Sequence, residues 1–426
     1  MIFPNVLTIF TYISIPVLIF GEEVCYRNKL DNCDTKKMPA FRYLFYDVNP
    51  SEGFNLRRDV YMRMAVLAHK LKHSNDPILN SFLLVLPPWS HLMHWGYSED
   101  PEQIPWSTFF DISSLQKFAP VIELHEYFSY LKNNKYTKSI LDKVYILQHY
   151  EDMFESGNFV DKWSVEKCQK PPKLRFFHYT NITSNNVQCL SFHGPATKLS
   201  EVLKQDKSRT IMLEHAEVAL HDMFGSQIYW QARRSMRFNF ELRAIANEFR
   251  QLYLNSSDKD DNTYLAKDWK DDKPKRNAIG GPYLAVHLRR RDFLRGRPDD
   301  VPDLKRVAEQ ITEKLEELEL SKVFVATDAP QKEYDELNSL LLPKYEIYKY
   351  TASKTVEKKY SAGGVAIVDQ IICSYARYFI GTSESTFSFR IQEEREILGF
   401  PTKVTFNVLC KDKKKCKKPS LWKIVY

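Results

Sequence analysis

Short apolar strands that alternate with helical stretches are the feature that most restricts this chain. Arg42-Tyr-Leu-Phe-Tyr-Asp47 reads as a strand, and the loop VNPSEGF follows it. Asn55 can then cap a helix whose Leu56, Val60, Met64, Leu67 and Leu71 keep helical spacing. Phe82–Leu86 (FLLVL) is the next strand, stopped by Pro87 and Pro88, with further short strands at Val121–Glu123 and Val144–Leu147. Strands separated by crossover helices specify a parallel sheet covered on its faces, so the expected class is α/β.

Residues 195–260 are more helical, with helical patterns over His215–Met223 and Gln231–Phe249. The polar run Asn255–Lys275 (NSSDKDDNTYLAKDWKDDKPK) is the best linker candidate. Asp258-Lys-Asp260 has the DxD spacing that holds a metal–nucleotide in some transferases, but in so polar a run it reads as solvated loop. The rhythm then returns: strand Pro282–Leu288, a helix face on Leu304, Val307, Ile311, Leu315 and Leu318, strand Val323–Thr327, and a helix to Leu341. Strand Tyr345–Tyr348, helix Val365–Ser374 after Gly363-Gly364, strand Tyr378–Gly381 and a helix from about Thr386 complete it. The expected division is 1–21, 22–250 and 251–426, the last two being doubly wound halves that bind ligands at strand C-termini and in the cleft between them.

Charge and cysteine place the chain more than they define its chemistry. Of 426 residues, 61 are basic and 54 acidic, and Lys411–Lys423 alone carries seven Lys against one Asp. The remainder is nearly neutral and shows no nucleic-acid module. Residues 2–20 carry no charge and precede Gly21, which reads as a cleaved signal peptide; Pro4, Pro16 and the shortness of the run argue against a membrane anchor. No membrane span is then expected in the mature chain. Six of the seven cysteines form sequence-local pairs, Cys25/Cys33, Cys168/Cys189 and Cys410/Cys416, and none has zinc-ligand spacing. Behind a signal peptide these read as local disulfides, although six cysteines leave many connectivities open; Cys373 reads as a buried thiol. Asn181-Ile-Thr183 and Asn255-Ser-Ser257 are glycosylation acceptors suited to the same compartment.

Three constellations sit where such a fold places a site. Asn49–Asn55 joins a strand to its helix; Glu52 there has the chemistry of a general base, and a capping loop would explain the segment equally. His287-Leu-Arg-Arg-Arg-Asp292-Phe293 ends a strand, and an Arg fork there suits diphosphate oxygens. Three consecutive Arg point in different directions, so only one or two can face one ligand, and surface pairing with Asp299 and Asp300 is the plain alternative. Gly381-Thr-Ser-Glu-Ser385-Thr386-Phe387-Ser388 leads from strand to helix with N–H groups and hydroxyls suited to phosphate, or to simple capping. Asp369 is a lone carboxylate in VAIVDQIIC, able to accept both N–H groups of a guanine edge or to sit on a wet helix edge. No GxGxxG or Walker loop and no hydrolase triad is present.

Taken together, HLRRRDF, VFVATDA at 323–329 and GTSESTFSFR at 381–390 resemble the three short motifs of the GDP-fucose-dependent fucosyltransferases. RYLFYDVNPSEGFNLRRDVYMR, LLVLPPW and GGVAIVDQIIC extend the resemblance, from about Arg42 to the tail, to the protein O-fucosyltransferase branch that acts on thrombospondin type 1 repeats. The resemblance implies a GT-B fold of two Rossmann-like domains, an inverting mechanism without a metal, GDP-fucose as donor and a folded repeat as acceptor in the endoplasmic reticulum lumen. It implies Glu52 as catalytic base, with Ser51, Gly53, Phe54 and Asn55 in the donor loop. It further implies His287, Leu288 and Arg289 in the nucleotide-sugar motif, with Arg289 on the diphosphate. Asp369 matches a nucleotide contact, and Ser385, Thr386 and Phe387 match the phosphate loop. Arg291 and the Lys-rich insertion between Cys410 and Cys416 depart from the family pattern, and the terminal Lys-Ile-Val-Tyr426 is no KDEL-type signal, so retention is expected to come from elsewhere. Relatives acting on EGF-like repeats or N-glycans, or a non-catalytic binding protein, are the alternatives. Intact Glu52 and Arg289 weigh against a pure binder.

Overall fold

Two parallel sheets carry the fold, in a computed structural model that describes residues 41–90, 103–133, 139–171, 179, 182–412, 416, 419 and 421–426. The signal-peptide segment, Cys25, Cys33 and Asn181 lie outside the described residues. The strands of the first part are β1 (Arg42–Tyr46), β2 (Phe82–Leu86), β3 (Val121–Glu123), β4 (Ser139–Leu141), β5 (Lys143–Gln148), β6 (Lys162–Glu166), β7 (Ile182–Ser184), β8 (Val187–His193) and β9 (Thr210–Glu214). They form a seven-stranded sheet in the order β3-β2-β1-β9-β5-β8-β6, with β4 and β7 paired separately. Only β6 runs antiparallel in the larger sheet. The second sheet contains β10 (Gly281–Leu288), β11 (Lys322–Thr327), β12 (Glu346–Tyr348), β13 (Ala376–Gly381) and β14 (Asn407–Val408) in the order β12-β11-β10-β13-β14, all parallel. RYLFY of β1 and FLLVL of β2 are buried along their whole length. That is why they read as continuous apolar runs rather than alternating ones.

Six helices position the site: α1 (Phe54–Lys72), α2 (Gln227–Ser235), α3 (Phe240–Leu254), α4 (Leu304–Glu317), α5 (Lys354–Ser374) and α6 (Thr386–Leu398). The helical pattern over Gln231–Phe249 resolves into α2 and α3 because the Asn239 side chain caps a new helix, accepting from the Leu242 N–H at 2.9 Å. The pattern over His215–Met223 holds only one turn, Ala216–Val218, entered through His215 at φ 58°. α3 packs against α5 and β10, so the chain joins the second sheet before residue 240. Gly364 permits the close approach inside α5, since a Cβ there would lie 2.2 Å from Tyr360 Cβ.

The polar segment 255–275 is folded rather than a solvated linker. Arg250, buried at the end of α3, pairs with Asp258 (2.9 Å) and Asp261 (3.1 Å). Trp269 is buried and donates its Nε1–H to the Ser114 carbonyl at 3.2 Å. Asp260 is bonded to Ser257, so the DxD spacing closes a helical turn. Asp268 and Asp272 are likewise paired, with Lys117 (2.7 Å) and Arg237 (2.5 Å), partners that local polarity does not reveal. Cys168–Cys189 and Cys410–Cys416 are disulfides, and Cys373 is a buried thiol on α5. Asn255 is exposed at the C-cap of α3. Among the described residues no helix is long and apolar enough to cross a membrane.

Candidate active site

A cavity of about 790 Å³ opens at the C-terminal ends of β10 and β11, with the loop between β1 and α1 as its opposite wall. It gathers Ser51, Gly53, Phe54 and Asn55 from that loop, His287 and Arg289 from the end of β10, Asp369 from α5, and Ser385, Thr386 and Phe387 from the start of α6. Leu288 is not brought in: its side chain is 2% exposed and packs in the core beneath the sheet. Its carbonyl accepts from Thr327 Oγ1 at 2.7 Å, so any ligand contact would be through backbone.

The β10 side is rigid and well connected. His287 is enclosed, stacks on Phe387 with ring centres 4.3 Å apart, and faces Ser388 Oγ through Nδ1 at 2.8 Å. Ser388 Oγ also accepts the Thr382 N–H at 3.0 Å; donating its own hydroxyl proton to Nδ1 would leave His287 as the Nε2–H tautomer. Burial, and then the charge of Arg289, push its pKa down to about 3, so the ring is a neutral donor at physiological pH. Gly381 makes room for this arrangement, because a Cβ there would lie 2.5 Å from Ser388 Oγ.

Of the three consecutive arginines, one faces the cavity. Arg289 Nε contacts Asp292 at 2.9 Å and Asp328 at 3.3 Å, and a second guanidinium nitrogen reaches Asp292 at 3.0 Å. Arg290 turns inward to Glu333 (2.7 Å) and the Pro302 carbonyl (2.8 Å), and Arg291 is exposed. The pairing expected with Asp299 and Asp300 is replaced, for Arg289, by Asp292 and Asp328 inside the cavity wall. An anion that enters can exchange Asp292, itself half exposed, for its own oxygens. Ser385 occupies the N-cap of α6 without a side-chain cap bond, so the first N–H groups of α6 face the cavity with the helix dipole behind them.

Asp369 brings an unsatisfied acceptor to the cavity wall. Its Oδ1 is enclosed and has no hydrogen-bond partner, and burial pushes its pKa up to about 8 against the opposing charge of Lys349. An orphaned carboxylate in a cavity wall is satisfied by a ligand edge presenting N–H donors. The neighbouring Gln370 ties the two walls together: its Nε2 donates to Asn55 Oδ1 at 3.0 Å, and its Oε1 accepts from Arg58 at 3.0 Å.

Glu52 lies in the same loop wall, between Ser51 and Gly53, which line the cavity, and is itself half buried. The turn is fixed by Asn49, whose carbonyl accepts the Glu52 N–H (2.9 Å) and whose Oδ1 accepts from Ser51 N and Oγ (3.1 and 2.9 Å). Asn49 N–H in turn donates to Glu217 Oε2 at 3.3 Å, and Glu217 Oε1 meets His215 Nδ1 at 3.0 Å. Burial and then the Glu217 charge raise the Glu52 pKa, with Arg63 and Arg57 opposing. Gly53 itself has an ordinary extended backbone, φ −77°, so what it contributes is the absence of a side chain at the cavity wall. Glu217 was not singled out by the sequence; Asp292, Asp328, Thr382 and Ser388 stood there only as members of the motifs, and His215 only as the start of a helical pattern.

Known proteins resemble this chain in sequence and fold. A GDP-fucose protein O-fucosyltransferase from Caenorhabditis elegans, type 2, is 41% identical over 438 residues, covering 97% of this chain and 99% of its own. The type 2 enzyme of Homo sapiens is 45% identical over 400 residues, 90% of each chain. The crystal structure of POFUT1 with GDP-fucose superposes with a TM-score of 0.57 at 16% identity, covering 87% of this chain and 98% of that one, and shares the GT-B fold. The family model for GDP-fucose protein O-fucosyltransferase matches residues 43–398, which hold every cavity residue named above and all of both sheets except Arg42 and β14. With both walls of the cavity inside that match, the chain belongs to the GDP-fucose protein O-fucosyltransferase family.

Proposed function

We propose that the chain transfers fucose, with inversion and without a metal, from GDP-fucose to Ser or Thr hydroxyls of folded thrombospondin type 1 repeats in the endoplasmic reticulum lumen. The observation that carries the reading is the single cavity with a diphosphate-type wall on one side and the Glu52 loop on the other. Two disulfides suit an oxidising lumen.

In this reading Asp369 accepts the guanine N–H pair, and the diphosphate lies against Arg289, the N-terminus of α6 and the Nε2–H of His287. The acceptor hydroxyl attacks the anomeric carbon from the face opposite GDP. Glu52 takes the hydroxyl proton, and the electron pair of the breaking C–O bond leaves on the β-phosphate. A cation and a helix dipole already neutralise that developing charge, the work a metal does elsewhere. The raised pKa of Glu52 makes its carboxylate a better proton acceptor.

The test is fucose transfer by the purified protein in EDTA, with folded and reduced thrombospondin repeats and a folded EGF-like repeat as acceptors. Transfer to the folded thrombospondin repeat alone is expected, and Glu52→Ala should lower it by roughly 10²–10⁴-fold with GDP-fucose affinity retained. Transfer to the EGF-like repeat instead would replace the acceptor; a Glu52→Ala variant with full activity would remove the base.

A further inference from the structure

The loops that follow neighbouring strands of the first sheet continue past Glu52, away from the donor cavity. β1, β9, β5 and β8 are adjacent and parallel, so their C-terminal ends lie along one edge. Glu52 follows β1, His215 and Glu217 follow β9, and residues 149–161 follow β5. The side chains form a continuous line: Glu217 bonds Asn49 and acts electrostatically on His149, His149 meets Phe154 at 5.2 Å, Phe154 meets Phe159 at 6.1 Å, and Phe159 meets His193 at 5.7 Å.

This line is unusually apolar for a surface. Phe154 is 66% exposed, Phe159 53% and Val160 61%. Aromatic side chains left in water beside one another mark an interaction site more often than isolated exposed residues do. The segment carrying them also holds exposed Glu151, Asp152, Glu155 and Asp161, with no Lys or Arg between Glu151 and Asp161. Packing of the core explains none of this, since only Met153 of its short helix is buried.

We propose that the 149–161 loop is the docking platform for the acceptor protein, which sets a face of basic and apolar side chains on it and so delivers its hydroxyl to Glu52. The proposal rests on the transferase reading above. A protein acceptor has to lie on the side of Glu52 opposite the nucleotide, and the platform is the exposed apolar surface continuous with that side. Phe154 and Phe159 anchor the partner by losing water-exposed area on contact, and the acidic rim selects and steers it.

Two surface variants test this, Phe154→Ala/Phe159→Ala and Asp152→Lys/Glu155→Lys, each checked for unchanged thermal unfolding. The aromatic pair variant is expected to raise KM for the folded acceptor roughly tenfold. KM for GDP-fucose and the calorimetric affinity for GDP should stay within about twofold of wild type. Raising salt from about 50 mM to about 0.5 M should weaken wild-type acceptor KM and leave the charge-reversed variant nearly unaffected. Unchanged acceptor KM in both variants, with transfer intact, overturns the platform and leaves the transferase reading standing. Absence of wild-type transfer to any folded repeat overturns that reading, and the platform with it.

Discussion

On one wall of the cavity His287 is enclosed, neutral and held at its ring edge by Ser388 and on one face by Phe387. On the other, Glu52 is half buried on a loop whose electrostatics come from Glu217, Arg63 and Arg57. The first wall is made by strand ends and a helix start, elements that the fold itself fixes. The second is made by charge balance among side chains from different loops. A phosphate site gains from fixed geometry, whereas a proton acceptor gains from a tuned pKa, and the two constructions match those demands.

The sharpest break of this contrast is at Arg289. Arg289→Ala should lower kcat for transfer by on the order of 10²–10³-fold, the usual cost of one preorganised charge-stabilising donor. Thermal unfolding should change little, because Arg289 pairs with Asp292 and Asp328 at the cavity rather than with the core. Activity near wild type would mean that α6 alone carries the diphosphate.

Asp369 sharpens the comparison through pH. Its pKa stands near 8 in the empty cavity, and a guanine edge binds the ionised form, so donor affinity is full above that value and falls as pH falls through it. Between pH 9 and pH 7 the loss should be roughly tenfold, read as the calorimetric affinity for GDP. Asp369→Asn should bind GDP more weakly and lose this pH dependence. A flat profile in the wild-type protein would place the guanine elsewhere.

The donor wall was largely legible in the sequence, because a parallel sheet places the residues just after each strand at one edge, and HLRRRDF and GTSESTFSFR are contiguous there. What stayed hidden was partnership across distance. Asn55 and Gln370 are 315 positions apart, and Arg250 explains Asp258 and Asp261 only once α3 has folded beside them. His215–Met223 has a helical apolar spacing, yet only Ala216 and Ala219 of it are buried while Leu220 and Met223 are exposed, so the pattern marks no packed helix face. Leu288 shared a motif with cavity residues yet faces the core, since alternate residues of a strand point to opposite sides.

A smaller effect is expected at Ser388. Ser388→Ala removes the hydroxyl bonded to His287 Nδ1, which should cost about 3–10-fold in GDP affinity and kcat, the range of one hydrogen bond. Imidazole ¹⁵N shifts of His287 should move from a fixed Nε2–H tautomer to a mixture. A kinetic loss without that spectral change would make Ser388 a packing residue.

The smallest effect tests the other wall. Glu217 is the like charge that helps raise the Glu52 pKa, so Glu217→Gln removes repulsion and lowers it. In the proposed mechanism Glu52 takes the proton when ionised, so the acidic limb of kcat/KM against pH should shift to lower pH. Above that limb the rate should fall slightly, because a weaker base takes the proton less readily. The same substitution leaves the donor wall untouched, so GDP affinity and its dependence on Asp369 should be unchanged. An acidic limb that moves upward would show that Glu217 acts on Glu52 through the Asn49 turn rather than through its charge.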